Sequence, residues 1–183
     1  MTRAEAVLNK LNELSIPFEL ARHDKLYSIE ECARAEEILG AKMPKNLLLT
    51  TTNRSAYALL VMNGSTPFKT GVVSKNAGYS RLSFASEEDI SQLLGTYPGA
   101  VSPFGLLFDT DLRVECLIDR ELTREEYLVF HPLDNTCSVK IRTADLIDVF
   151  LPATGHKARY IDTLTIGSEP EPTTLEEHMS EKS

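Results

Sequence analysis

The sequence predicts an α+β domain with a mixed β-sheet or barrel flanked by helices, and three observations carry that prediction. Helical patterns alternate along the chain with short apolar or β-branched runs. Several predicted strands follow one another without an intervening helix, which favours antiparallel pairs. The length of 183 residues, with 42% hydrophobic and 25% charged residues, is typical of one globular core.

Capping residues mark where the predicted helices begin. Thr2 with Glu5, and Ser28 with Glu31, have the spacing of a capping box, and Ser86 precedes another helical pattern. The predicted helices are Arg3–Leu14, Ser28–Gly40, Lys69–Asn76, the segment after Ser86 that carries Ile90, Leu93 and Leu94, and Thr143–Gly155.

Strands are predicted where short apolar or β-branched runs lie between turn residues. The turn Asn53-Arg54-Ser55 separates two such runs and predicts a β-hairpin. Residues 97–105 contain two prolines and two glycines, so we expect irregular structure there. The predicted strands are Phe18–Arg22, Asn46–Thr52, Ala56–Met62, Arg81–Ala85, Leu112–Ile118, Tyr127–Phe130, Ser138–Arg142 and Arg159–Ile161.

Charge is distributed unevenly along the chain. The net charge of −8 argues against a nucleic-acid partner, but residues 167–183 hold five glutamates and one lysine and supply half of it. We expect this tail to be disordered and residues 1–166 to form one domain. Residues 38–86 hold no acidic residue, so they offer phosphates a positive field if their cations share a face. Scattered solvated cations are the alternative. The basic residues of this stretch are Lys42, Lys45, Arg54, Lys69, Lys75 and Arg81.

Several protein classes find no support in the sequence. It contains no GxSxG, P-loop or GxGxxG motif. The three cysteines form no CxxC pair and the histidines lie too far apart for compact ligand spacing, so we predict neither a metal nor a cofactor. The N-terminal segment lacks an unbroken apolar stretch, and we therefore expect a cytoplasmic protein with no membrane partner.

Three segments carry the polar groups of a candidate site. Lys45 lies at the entrance of a predicted strand, where its ammonium reaches a substrate from a rigid base; a surface lysine is the alternative. His131 begins a loop between two strands, and polar side chains on such loops are common binding groups. The alternative is a structural loop in which Asp134 and Asn135 form a local turn. The glycines of residues 98–105 bring backbone N–H groups close to a ligand or form a tight structural loop.

Five spaced motifs resemble the YbaK-type editing domain family, which includes the editing insertion of bacterial prolyl-tRNA synthetases and its freestanding relatives. The resemblance covers about residues 3–162 in consistent order and is strongest to the freestanding alanyl-tRNA(Pro) deacylases. The motifs are KNLLL (45–49), RLSFAS (81–86), PGAVSPFG (98–105), FHPLDNT (130–136) and ATGH (153–156).

The resemblance implies a hydrolase that removes a wrong amino acid, alanine before others, from the terminal adenosine of tRNA(Pro). A deacylase for cysteine, serine or threonine, and a non-catalytic module that binds tRNA or a synthetase, are the alternatives. The implied partners are the acceptor end of mischarged tRNA and either prolyl-tRNA synthetase or an elongation factor. The resemblance assigns Lys45 as the catalytic lysine. The implied substrate-binding residues are Asn46, Gly99, Ser102, Pro103, Gly105, His131, Asn135 and Thr136.

Overall fold

Two β-sheets organise the part of the chain that the computed structural model describes, residues 1–25 and 28–167. The strands are β1 (Phe18–Arg22), β2 (Lys45–Thr51), β3 (Tyr57–Met62), β4 (Leu82–Phe84), β5 (Val114–Asp119), β6 (Tyr127–Phe130), β7 (Cys137–Arg142) and β8 (Ala158–Ile161). Three strands form one sheet in the order β1-β7-β6, and five form the other in the order β4-β2-β3-β5-β8. Within the described ranges the sheets do not close into a barrel, so the sheet alternative of the fold prediction is confirmed.

Three helices begin directly after the capping residues that the sequence indicates. Thr2 and Ser86 each accept a hydrogen bond from a backbone N–H three residues later, and Glu5 and Asp89 accept one from the backbone of the cap. Ser28 caps the second helix through the same kind of bond. The α-helices are α1 (Arg3–Glu13), α2 (Ile29–Leu39), α3 (Thr70–Ala77), α4 (Glu87–Leu94), α5 (Thr143–Asp145) and α6 (Leu151–Ala153).

Two segments differ from their predicted form. The segment expected to be irregular leads into a 3₁₀-helix, Pro103–Phe108, because Ser102 accepts a hydrogen bond from the N–H of Phe104 and a proline at the first position has no N–H to leave unpaired. The predicted C-terminal helix is interrupted by a π-helical segment, Leu146–Phe150, just before Pro152, which supplies no backbone donor. His156, the last residue of the ATGH motif, is buried after this helix. Its Nε2 lies 2.8 Å from a carboxylate oxygen of Asp109, and this contact joins the end of the helix to the loop before β5.

The five-stranded sheet contains parallel pairs in addition to the expected antiparallel hairpin. β3 is antiparallel to β2 and parallel to β5, and β5 is parallel to β8. Every residue of β3 is buried, as expected for a central strand covered on both faces. The start of β2 and the ends of β3 and β5 therefore meet at one edge of the sheet.

The hydrophobic core lies on both faces of this sheet. On one face α3 contributes Val73 and Ala77 to a cluster that includes Met62. On the other face the rings of Phe104 and Phe130 meet edge to face, with centroids 5.9 Å apart. No helix among the described residues combines the length and the apolarity needed to cross a membrane. The predicted acidic tail lies, from residue 168 onward, outside the described residues.

Candidate active site

A pocket of about 670 Å³ opens at the edge where β2 begins and where β3 and β5 end. It is lined by α2, by the turn after β3, and by Gly99, Val101, Phe130 and His131. The predicted site residues that line it are Lys45, Asn46, Gly99 and His131. A second cavity of about 420 Å³ beside α5 contains none of the predicted site residues.

Lys45 is the first residue of β2, and its side chain reaches the turn after β3. The Nζ atom donates a hydrogen bond of 2.6 Å to the carbonyl oxygen of Thr66. Gly64 allows this turn to approach the chain before β2, since a Cβ at this position would lie 3.0 Å from the carbonyl oxygen of Met43. One of three ammonium donors is thus used to fix the side chain, which leaves two for a substrate.

Asn46 presents a polar atom that the described residues do not satisfy. Its Nδ2 donates a hydrogen bond of 3.3 Å to the carbonyl oxygen of Pro44. Its Oδ1 is buried and has no hydrogen-bond partner within the described ranges. A buried unpaired acceptor is costly, so a donor from a bound substrate would stabilise this arrangement.

His131 enters the pocket from the loop after β6 with a defined tautomer. Its Nδ1 lies 2.8 Å from the carbonyl oxygen of Cys137. Because a carbonyl can only accept, Nδ1 carries the proton, and the Nε2 of the neutral ring keeps its lone pair. Burial, with a smaller contribution from His23, lowers the pKa of His131 against the opposing effects of Cys137 and Asp134. The ring therefore favours its neutral form and can accept a hydrogen bond.

Hydrogen bonds hold together the two loops that carry Gly99 and His131. The Tyr97 hydroxyl donates to Oδ1 of Asn135 at 3.0 Å and accepts from its backbone N–H at 3.1 Å. Gly99 has a φ of 96°, a left-handed conformation that favours glycine. The buried Asn135 thus lies behind the pocket, where it fixes the position of the loop that presents Gly99.

The remaining predicted site residues do not line the pocket. Ser102 is fully buried and caps the 3₁₀-helix that begins at Pro103. Gly105 packs on α4, where a Cβ would lie only 2.8 Å from that of Leu94. The Thr136 hydroxyl donates to a carboxylate oxygen of Asp134 at 2.7 Å. These contacts give the residues a structural role, and their contact with substrate stays a prediction.

Two walls of the pocket were missed by sequence reasoning. One is α2, with Cys32 and Glu36, and the other is the turn after β3, with Asn63 and Ser65. An Asn-Gly pair after a strand indicates a turn, but only strand pairing places that turn beside Lys45.

The chemistry of the pocket limits the reactions that its side chains can perform. Burial, together with Glu36 and Glu31, raises the pKa of the Cys32 thiol, so this sulfur is not a thiolate nucleophile at neutral pH. Within residues 1–25 and 28–167, no group of three or more His, Cys, Asp or Glu side chains is arranged to hold a metal ion.

The basic residues of the 38–86 stretch do not share one face. Arg54 lies in the β2–β3 turn, at the end of the hairpin opposite Lys45, and pairs with Asp89. Lys42 lines the pocket and lies 3.5 Å from a carboxylate oxygen of Glu125. Arg54 therefore lies away from the pocket, and the charge of Lys42 beside the pocket is partly offset by Glu125.

Comparisons with known proteins agree with this fold. The sequence profile of the aminoacyl-tRNA editing domain family matches residues 23–149. The chain is 32% identical over 162 residues to the prolyl-tRNA editing protein ProX of Acetoanaerobium sticklandii, which covers 88% of this chain and 98% of that protein. It is 30% identical over 148 residues to prolyl-tRNA synthetase associated domain-containing protein 1 of Danio rerio, and this match covers 80% of this chain and 79% of that protein.

A solved structure described as a candidate trans-editing enzyme for prolyl-tRNA synthetase has the same fold. Its TM-score is 0.64 at 16% identity, with 88% of this chain and 98% of that chain covered. The chain belongs to the aminoacyl-tRNA editing domain family. This membership confirms the predicted family and the enzyme class that it implies, an aminoacyl-tRNA deacylase.

The lowered pKa of His131 predicts a specific dependence of stability on pH. The unfolded chain takes up a proton near the ordinary value of 6.5, whereas the folded protein resists it, so the free energy of unfolding falls as pH drops through that value. The free energy of unfolding, measured with urea, should therefore fall more between about pH 7.5 and about pH 5.5 for the wild type than for His131→Gln. Equal losses for the two proteins would contradict a buried neutral ring.

Proposed function

We propose that this protein hydrolyses, in trans, the ester bond of mischarged tRNA(Pro), with Ala-tRNA(Pro) as its principal substrate. The observation that carries the proposal is the meeting of Lys45 and His131 in one pocket, in a chain whose relatives include a prolyl-tRNA editing protein. Residues 1–166 would form the editing domain, acting in the cytoplasm. Its partners would be the tRNA acceptor end and prolyl-tRNA synthetase or an elongation factor.

Each side of the pocket would hold a different part of the aminoacyl end. Lys45 is a point charge on a rigid strand, suited to the terminal phosphate or ribose of the tRNA. The backbone N–H groups of Gly99 and Val101, which line the pocket, would face the ester carbonyl, where negative charge develops during attack. The Nε2 lone pair of His131 would accept a hydrogen bond from the α-ammonium group of the amino acid.

The reaction requires no covalent enzyme intermediate. An aminoacyl ester is already activated, so a positioned water molecule and stabilisation of the oxyanion are sufficient. Water adds to the carbonyl carbon, the ester C–O bond breaks, and the free amino acid and the ribose hydroxyl are released. The vicinal hydroxyl of the terminal ribose would help to position or activate the water, as the family resemblance implies.

Editing in trans has a physical reason. A synthetase pocket shaped for proline cannot strongly reject smaller apolar amino acids, since missing methylenes change binding by only about 1–3 kcal/mol. A second, hydrolytic pocket that admits alanine and excludes proline by volume supplies the missing discrimination. His131 would form one wall of that second pocket.

Substitution of Lys45 tests its role directly. Lys45→Ala should lower deacylation of Ala-tRNA(Pro) by about 10²-fold or more, because the acceptor end loses its positioning charge. The matched control is Lys157→Ala, which removes an exposed lysine outside both the pocket and the basic 38–86 stretch and should leave hydrolysis near the wild-type rate. Wild-type turnover by a well-folded Lys45→Ala would remove Lys45 from the mechanism.

A panel of mischarged tRNAs tests the amino acid specificity. The wild type should cleave alanyl-tRNA(Pro) roughly tenfold to hundredfold faster than prolyl-tRNA(Pro), because overfilling a pocket costs about 1–3 kcal/mol. His131→Ala should erode this ratio by enlarging the pocket. Faster hydrolysis of cysteinyl, seryl or threonyl tRNA by the wild type would reassign the substrate, and an unchanged ratio in His131→Ala would take His131 out of the pocket wall.

A further inference from the structure

An exposed aromatic ring, Phe84, packs on a partly buried one, Phe68, outside the pocket. The Phe84 side chain, on the edge strand β4, is 62% exposed, although phenylalanine is usually buried. Its ring centroid lies 5.1 Å from that of Phe68, with 43° between the two ring planes. The second ring supports the first from the protein side, so Phe84 presents a fixed apolar surface to solvent.

Strand register places this surface on the same side of the sheet as Lys45. Phe84 pairs with Leu49 of β2, and Leu49 follows Lys45 by four residues, so the side chains at these positions point to one face. The distance along β2 is about 13 Å at the usual rise per residue. The turn after β3 also connects the two points, because Thr66 contacts Lys45 and Phe68 contacts Phe84.

Two exposed cations lie close to the aromatic pair in the sequence, and the first carboxylates after Phe84 are those of Glu87 and Glu88 at the start of α4. Lys69 directly follows Phe68, and Arg81 precedes β4, and both side chains are exposed. Residues 38–86 contain no acidic residue. An exposed ring beside cations is a combination that binds single-stranded nucleic acids, since a base stacks on the ring and the phosphates contact the charges.

We propose that Phe84, supported by Phe68, stacks against a base of the unpaired 3′ end of tRNA, within the last few nucleotides before the terminal adenosine. Lys69 and Arg81 contact the neighbouring phosphates. The inference rests on the proposed function, which puts the terminal nucleotide at Lys45. Phe84 lies about 13 Å along β2 from Lys45 and one strand spacing of about 4.8 Å to the side, hence about 14 Å away. This separation suits a few nucleotides, whose repeat along a stacked strand is about 3.4 Å and is longer when the strand is extended.

Two substrates separate stacking from catalysis. Full-length Ala-tRNA(Pro) contains the stacked base, whereas 3′-alanyl-adenosine lacks it. Phe84→Leu keeps an apolar side chain but removes the ring, and it should lower kcat/KM on the tRNA by about fivefold to a hundredfold, as base stacking energies imply, and leave alanyl-adenosine unaffected. Phe84→Tyr keeps the ring and should act as the wild type does on both substrates.

A matched control comes from another exposed hydrophobic side chain. Leu112 is 55% exposed and precedes β5, at the sheet edge opposite the pocket. Leu112→Ala should hydrolyse both Ala-tRNA(Pro) and 3′-alanyl-adenosine at the wild-type rate. A wild-type rate for Phe84→Leu on the tRNA, or an equal loss on both substrates, would overturn the stacking role. If Phe84→Leu hydrolyses the tRNA as the wild type does but binds prolyl-tRNA synthetase more weakly, the surface serves a protein partner. This result would also overturn the stacking role.

A fluorescence measurement tests stacking without hydrolysis. The fluorescent base 2-aminopurine is placed in turn at each unpaired position before the terminal adenosine of uncharged tRNA(Pro). Binding of the wild type should quench the fluorescence at one of these positions, where the base stacks on Phe84. Phe84→Leu should quench the fluorescence at that position less. Equal signals at every position would refute the inference. A wild type that quenches the probe but hydrolyses neither ester would refute the proposed function and leave the stacking surface supported.

Discussion

The antiparallel pairing of β2 with β3 determines where the residues of the pocket lie. Lys45 is opposite Met62, whose side chain is fully buried, and every residue of β3 is covered. Leu48 packs in the core on one face of the sheet and Leu49 in the core on the other, so a slip of one residue would exchange these two side chains and turn Lys45 to the opposite face. Because β5 runs parallel to β3, its end meets the same edge, and the turn that holds Lys45 lies there too.

The same constraint explains why the pocket is suited to hydrolysis without a covalent intermediate. Lys45 is tied to Thr66 and His131 to Cys137, so a cation and a neutral acceptor keep fixed positions before substrate arrives. Fixed dipoles and charges need little reorganisation during reaction. The protonated Cys32 thiol adds no competing nucleophile. Positioning of an activated ester is therefore the work that these groups can do.

Local interactions were predictable from the sequence and long-range ones were not. The caps at Thr2 and Ser86 depend on residues three positions away, so the helix starts were visible in the sequence. Motif resemblance indicated Lys45 and His131, which do line the pocket. The α2 wall and the parallel strand pairs depend on contacts between distant residues, which spacing along the chain does not encode. Gly105 shows a further limit, since tight packing and ligand approach both favour glycine.

In the proposed function, the pocket at the start of β2 receives the aminoacyl end of tRNA. An amide-linked analogue of 3′-alanyl-adenosine cannot be hydrolysed and reports the binding position directly. A crystal structure of its complex should show the alanyl group between Lys45 and His131, with the carbonyl oxygen toward the backbone at Gly99. Binding of the analogue in the second cavity, beside Thr143, with the pocket left empty, would contradict the account.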